Sequence, residues 1–425
     1  CSSLVLALVA APSAGGATPA PVRMGFQAGD DWEPAIATDQ FGHVYVMWTH
    51  YGDDPACAGC ASPHMELQVS SDNGVTWSAP RPLKPSSLRQ DDPQIVVDPA
   101  DGKTLYAAFM EGGKASMLVS KSTDFGATWK TMLVESLQRG TDKDILAVRG
   151  QDVYLAFNAV QKIYAAVSHD GGATWSQKLI SDGSAHFGWS LPGGGAVDSK
   201  GRVYFGWDGY TQNGGAKGPV YLYVSRSSDG GNTWKATVLD VSEAAPRCSS
   251  CGWAYWGPQP AVAVDGANRV YALWNANHVK YGPNRMWFSR STDGGATFSS
   301  PADVSRAPNG SNNLFPAIAA RGDGDVRIAW MDDRNGRDDG MDGGGARWNV
   351  YFRSSRNAGG SWSAETQVSR YVSGYFYKLA TPKDGFLEPY GDYFEMEIDS
   401  AGKTHIDWGE GPSYAGPGNV WYASF

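Results

Sequence analysis

Residues 70–77 read SSDNGVTW, and the same eight-residue frame, S-x-D-x-G-x-T-W, returns along the chain. It is STDFGATW at 122–129, SHDGGATW at 168–175, SSDGGNTW at 227–234 and STDGGATF at 291–298. A degraded sixth copy, SRNAGGSW at 355–362, carries Asn357 at the aspartate position. Self-similarity of this kind marks an architecture built from repeated supersecondary units. Each fixed residue has a local reason to be there. Asp accepts hydrogen bonds from the N–H groups of its own turn, Gly supplies a positive φ, and Trp offers a large apolar face for packing. The frame is therefore read as a structural turn and not as chemistry.

Working outward, each frame is preceded by a second pattern, P-x-I/V-x-x-D-x-x-G-x-V-Y-x-x-W. It is PAIATDQFGHVYVMW at 34–48, with counterparts ending at Phe109, Phe157, Trp207, Trp274, Trp330 and Trp408, which makes seven units. Apolar alternation on both sides of a Gly-containing turn describes an antiparallel hairpin; the apolar run before each S-x-D frame is a third strand, and a fourth follows its Trp. Four strands per unit predict an all-β fold, a seven-bladed β-propeller of four-stranded antiparallel blades, with a six-bladed ring as the alternative. The seventh unit ends at Phe425 without the frame or a fourth strand. An open ring would expose two unpaired edges. Residues 21–28 are therefore expected to supply the missing outer strand of the last blade.

Composition agrees. The 425 residues include 53 Gly, 17 Trp and 20 Tyr with only 19% charged residues, which excludes a coiled coil or a disordered chain. A net charge of -9 gives no basic footprint, so nucleic acid is disfavoured as a partner. Residues 4–11, LVLALVAA, are too short to span a bilayer and precede a run of small residues, the pattern of a secretory leader. The division expected is a leader over 1–20, truncated at its start, then one propeller domain over 21–425, secreted or periplasmic and monomeric; a lipidated Cys1 is the alternative. Two close pairs, Cys57/Cys60 and Cys248/Cys251, read most simply as disulfides in an oxidising compartment, and a four-thiolate zinc site is the other reading.

The repeated frame resembles the Asp boxes, or BNR repeats, of the sialidase superfamily, from about residue 25 to the end. The resemblance implies a propeller with the boxes between third and fourth strands, and function at the opposite face, where the innermost strands begin. It also implies a Tyr nucleophile activated by Glu, an Asp acid/base, and three arginines holding a carboxylate. One of those arginines would stand two positions before the Pro of the first unit, where this chain has Trp32 in DWEP. Arg285, Arg334 and Arg347 remain as candidates, with Arg334 the best placed.

Aligning the units puts Glu33, Asp92 and Asp144 immediately before innermost strands, with Asp91, Lys143 and Asp392 one position earlier, so the channel mouth is expected to be predominantly acidic and to disfavour an anionic sugar. The candidate catalytic groups are Tyr390, Tyr393 and Glu395 of LEPYGDYFEME, with Glu33, Asp92 and Arg334. Glycoside hydrolysis needs one protonated and one charged carboxyl group, which these can furnish. Ten of the 17 Trp fall in boxes or at second-strand ends, whereas Trp32, Trp189 and Trp256 fall near innermost-strand starts and could stack on sugars. With Asp91, Asp144, Gln259 and Asp392 they form the candidate binding set. No cofactor is required; the carboxylate-rich stretch 332–342 offers Asp332, Asp333 and Asp338 to calcium. The reading is a secreted propeller acting on extracellular glycans as a glycosidase of exo-sialidase-like type; the alternative is a non-catalytic glycan- or protein-binding propeller, and a polysaccharide lyase is a third.

Overall fold

The hairpins form as the alternation dictates: in the first unit Asp30–Thr38 pairs antiparallel with Val44–Tyr51, from Asp30↔Tyr51 to Thr38↔Val44. In this computed structural model the residues described are 20–25, 29–135, 141–159, 161–181, 188–212, 218–246, 257–334, 348–369, 393–410 and 418–425. Their strands make seven four-stranded antiparallel sheets and no helix. Blades 1 to 6 span residues 30–82, 90–135, 141–179, 190–242, 260–303 and 313–367, each consecutive from inner to outer strand. Blade 7 takes its three inner strands from Met396–Ile398, Thr404–Glu410 and Asn419–Ser424, and its outer strand from Val22–Arg23.

That last pairing, Val22↔Tyr422 and Arg23↔Trp421, closes the ring with the chain's beginning, as the edge argument requires. Met24 extends it by donating its N–H to the Val420 carbonyl at 2.8 Å, and its side chain is buried. The leader expected over 1–20 lies, except for Ala20, outside the described residues. No described helix is long and apolar enough to cross a membrane.

Apolar side chains collect between blades. Tyr45, Leu67 and Phe109 join blades 1 and 2, Phe205 and Ile145 join blades 3 and 4, and Trp408 and Trp348 join blades 6 and 7. The boxes work as read. Asp72 Oδ1 accepts the Thr76 N–H at 2.7 Å and the Ser70 hydroxyl at 2.8 Å, while Trp77 packs edge-on against Tyr422 of the neighbouring blade at 4.8 Å. A Cβ on Gly74, at φ 82°, would lie 1.9 Å from the Tyr422 hydroxyl, so only glycine fits. Asn357 does the same work through Oδ1, accepting the Ser361 N–H at 2.8 Å.

Candidate functional site

Five innermost strands begin with a bulge, where the register against the second strand slips at Trp32/Ala35, Asp91/Gln94, Asp142/Asp144, Pro192/Gly194 and Leu314/Ala317. At four of them a non-glycine residue takes a left-handed backbone: Glu33 at φ 57°, Asp92 at 56°, Lys143 at 54° and Phe315 at 54°. Such conformations are costly for residues with a Cβ and collect at functional sites. Here they occur at one end of the ring, where the second strands finish and the third begin. They also correct one register: the structural counterpart of Glu33 and Asp92 in blade 3 is Lys143, and Asp144, opposite Phe157, takes the place of the prolines. The predominantly acidic mouth expected from sequence therefore contains a lysine.

Behind this rim the innermost strands of blades 2 to 7 line a channel pocket that opens to solvent. Lys143, the one cation among the described lining residues, has its Nζ 3.1 Å from the centroid of the Tyr393 ring. The Tyr393 hydroxyl donates to the Pro93 carbonyl at 3.4 Å. Glu395, two residues on, accepts the Ile36 N–H at 3.1 Å and an amide hydrogen from Gln94, so one carboxyl group ties blades 7, 1 and 2 together.

Burial raises Glu395 to about 7, with the two hydrogen bonds and Lys143 pulling the other way. Glu397, two residues on and facing the same lumen, is raised to about 8 by burial and by the Glu395 charge. Asp407, whose Oδ1 accepts the Glu395 N–H at 3.2 Å, is raised well above the usual carboxylate range by burial and then by Glu395. Asp208 accepts the Leu191 N–H at 2.9 Å and is likewise raised by burial; Asp144, fully enclosed, is raised by burial and then by Asp92. Lys143 lowers Asp144, Asp208 and Glu395 alike, which places its charge within reach of all three. The arrangement can hold several protons at neutral pH around one fixed cation.

The other candidates are placed as follows. Glu33 accepts the Thr49 hydroxyl at 3.2 Å, and Asp92 accepts the Lys143 backbone N–H at 3.3 Å. Asp91 is ion-paired to Arg89 at 2.6 Å. Together with Lys114, paired to Asp142 at 2.6 Å, they form a charged belt over blades 1 to 3 beside the pocket. Gln259 lines the pocket itself. Trp189 is half-buried beside blade 4. Trp32 is a correction: it is 0% exposed, with its indole where a Gly418 side chain would be, and offers no face to a sugar.

The described candidate arginines, Arg285 and Arg334, do not gather at the channel. Arg334 is paired to Asp332 at 2.6 Å and to Glu365, and lies over the Tyr351 ring, while Arg285 is paired to Asp303 at 2.9 Å. Asp332 therefore spends its oxygens on Arg334 and Trp330, and Asp333 accepts the Asn312 N–H at 2.8 Å. Cys57 and Cys60 form a disulfide, which removes them from a four-thiolate zinc site. Tyr390, Asp392, Trp256, Asp338, Arg347, Cys248 and Cys251 lie outside the described residues.

Lys143, Gln94, Asp208, Glu397 and Asp407 were not singled out from sequence. Glu397 was within reach, because residues 393, 395 and 397 share one face of a strand of period two. Gln94 meets Glu395 only through ring closure, and Asp208 comes near Lys143 only through the packing of blades 3 and 4.

A BNR repeat-like domain matches residues 25–186. The xyloglucanase Xgh74A of Acetivibrio thermocellus is 27% identical over 302 residues, covering 62% of this chain. The match spans 32% of that relative, so this chain corresponds to about a third of its length. Among solved structures, a Dyadobacter fermentans DSM 18053 protein of unknown function is similar over 96% of this chain and 98% of its own, with a TM-score of 0.53 and 15% identity. The NanB sialidase of Streptococcus pneumoniae is similar over 95% of this chain and 70% of its own, at a TM-score of 0.48 and 14% identity. Identities this low speak to fold alone. The seven four-stranded blades make this chain a β-propeller, and its residues 25–186 match a BNR repeat-like domain.

Proposed function

We propose that this chain is an extracellular glycan-acting propeller whose channel pocket hydrolyses a neutral polysaccharide, with Glu395 as the proton-transferring group. One observation carries the reading: a buried glutamic acid in the channel wall, two residues from Tyr393 and near the pocket's lysine, which burial raises to about 7. A general acid is most effective when its proton affinity matches the working pH. Burial raises Asp208 and Asp144 while Lys143 opposes it, so carboxyl groups under opposing influences lie around one lysine, the kind of setting in which one acid and one charged carboxylate can be told apart.

A neutral substrate is favoured over a sialoside because the described lining offers a carboxylate one lysine and no arginine. The similarity to a xyloglucanase supports the same direction. Secretion accords with the leader-like residues 4–11. A second reading, a propeller that binds glycan without cleaving it, is favoured by the fact that both Glu395 oxygens are already engaged, by Ile36 and Gln94.

The test is release of reducing ends from xyloglucan and other neutral polysaccharides, with a sialoside alongside, by wild type and Glu395→Gln. Turnover that the variant loses supports the hydrolase. Calorimetric binding to a glycan with no turnover supports the second reading, and neither binding nor turnover sinks both.

A further inference from the structure

Blade 1 carries a second polar cluster, apart from the channel, that the proposed chemistry does not use. Its third strand opens with His64 and Glu66, which alternate onto one face, and Asp54 follows the second strand in the segment closed by the Cys57–Cys60 disulfide. All three are buried, at 0%, 0% and 4% exposure, and one ligand atom from each lies within 4.8 Å of the others.

The hydrogen bonds leave this cluster short of positive charge. His64 Nδ1 is 2.7 Å from the Ala61 carbonyl, and a carbonyl can only accept, so Nδ1 carries the ring hydrogen. Nε2 faces Glu66 Oε1, 2.9 Å away, and donates to it only when the ring is charged; even then one cation meets two carboxylates. Glu66 Oε2 and Asp54 Oδ2 are enclosed without any hydrogen-bond partner. Buried carboxylate oxygens are rarely left so, because losing water without replacement is costly. The loop supplies no compensation: Asp54 Oδ1 is taken by the Ala56 N–H at 2.7 Å, and the disulfide keeps both sulfurs out.

A cation among the three side chains would supply the positive charge that the two enclosed carboxylates lack. The orientation of His64 by a backbone carbonyl is the support that metal-bound imidazoles usually have. A donor set of one imidazole and two carboxylates suits a first-row divalent ion such as Zn²⁺, whereas Ca²⁺ takes oxygen donors only. We infer that Asp54, His64 and Glu66 form a zinc-type metal site that pins the mouth-side segment 52–63 to blade 1. Its placement gives the ion a structural role. The same segment is held on its other flank by the Ala61 N–H donating to the Ser86 carbonyl at 2.8 Å, so the metal fixes the rim next to Tyr51 and the charged belt.

The test uses untagged full-length protein stripped with a chelator and titrated with ZnCl₂ by calorimetry, with bound metal counted by mass spectrometry. Wild type binds about one ion per chain in this site. At free zinc a hundredfold above Kd its Tm rises by about 3 °C, and equimolar CaCl₂ does not reproduce the rise. Glu66→Gln and Asp54→Asn each weaken that binding at least about tenfold. Asp54→Asn alters only a loop residue, so it remains decisive if the strand variant folds poorly. Wild type that takes up no zinc, or that binds it unchanged in Asp54→Asn, overturns the assignment.

Discussion

Replacing Glu395 and Glu397 together by glutamine is expected to stabilise the ring at neutral pH and to flatten its pH dependence. Both carboxyls bind protons more tightly in the folded chain, where they sit at about 7 and about 8 against an ordinary 4.5. Their stabilising contribution is therefore complete below pH 4.5 and is lost as the pH rises through 7 and then 8. Each tenfold change in proton affinity is worth about 1.4 kcal/mol, so the loss is roughly 3 kcal/mol for Glu395 and roughly 5 kcal/mol for Glu397. The two interact, so their joint effect is on the order of 5–8 kcal/mol. For a chain of this length that corresponds to about 6–10 °C in Tm. Glutamine keeps the local contacts, because its carbonyl accepts from Ile36 and the Gln94 amide can turn to meet its NH₂ group. The assay is thermal unfolding from pH 4 to 9 at fixed ionic strength. Wild type should lose Tm steadily between pH 5 and 8 and the variant should lose much less. The slope left over belongs to Asp144, Asp208 and Asp407, which burial shifts in the same direction. A variant that follows the wild-type curve in parallel, or a wild type whose Tm climbs across that range, refutes the reasoning.

Three further outcomes follow from other parts of the molecule. Lys143→Met removes the charge that holds Glu395, Asp144 and Asp208 down, so the wild-type fall in Tm should extend to higher pH; an unshifted profile means the lysine does not govern these groups. The box carboxylates Asp72, Asp124, Asp170 and Asp229 are held at about 2 by hydrogen bonds from their own Thr and Ser, so the stability they give is present above pH 4 and disappears as the pH falls toward 2. Asp124→Asn, imitating Asn357, should make acid unfolding less steep in a pH titration followed by circular dichroism. Met24→Ala should cost about 2–5 kcal/mol in urea unfolding and speed amide exchange in Asn419–Ser424, because Met24 packs in the seam that closes the ring. Unchanged exchange there would mean that the first strand does not hold the last blade.

The repeats made the blades legible because their instructions are local: Asp, Gly and Trp in the box, Gly and alternating apolar residues in the hairpin. Closure by residues near Val22 was legible as well, since counting strands left one edge unpaired. The channel was harder to read. Blade 3 lacks the proline that marks the bulge in blades 1, 2 and 6, so Lys143 was set one place off and Asp144 was put in its position. Trp32 looked available for stacking until ring closure brought Gly418 against its ring, a contact between residues at opposite ends of the chain. The metal-type cluster was equally obscure, because Asp54 meets His64 and Glu66 across the loop that carries the Cys57–Cys60 disulfide.

The central claim is that Glu395 moves a proton for a glycan in the channel pocket. It is tested most directly by the pH dependence of neutral-polysaccharide hydrolysis, comparing wild type with Glu395→Gln. The account predicts that wild type cleaves with one limb of its profile near pH 7, and that the variant, still folded, is at least about a hundredfold slower with that limb gone. Equal rates for the two proteins, or hydrolysis of a sialoside with no neutral glycan cleaved, would contradict it.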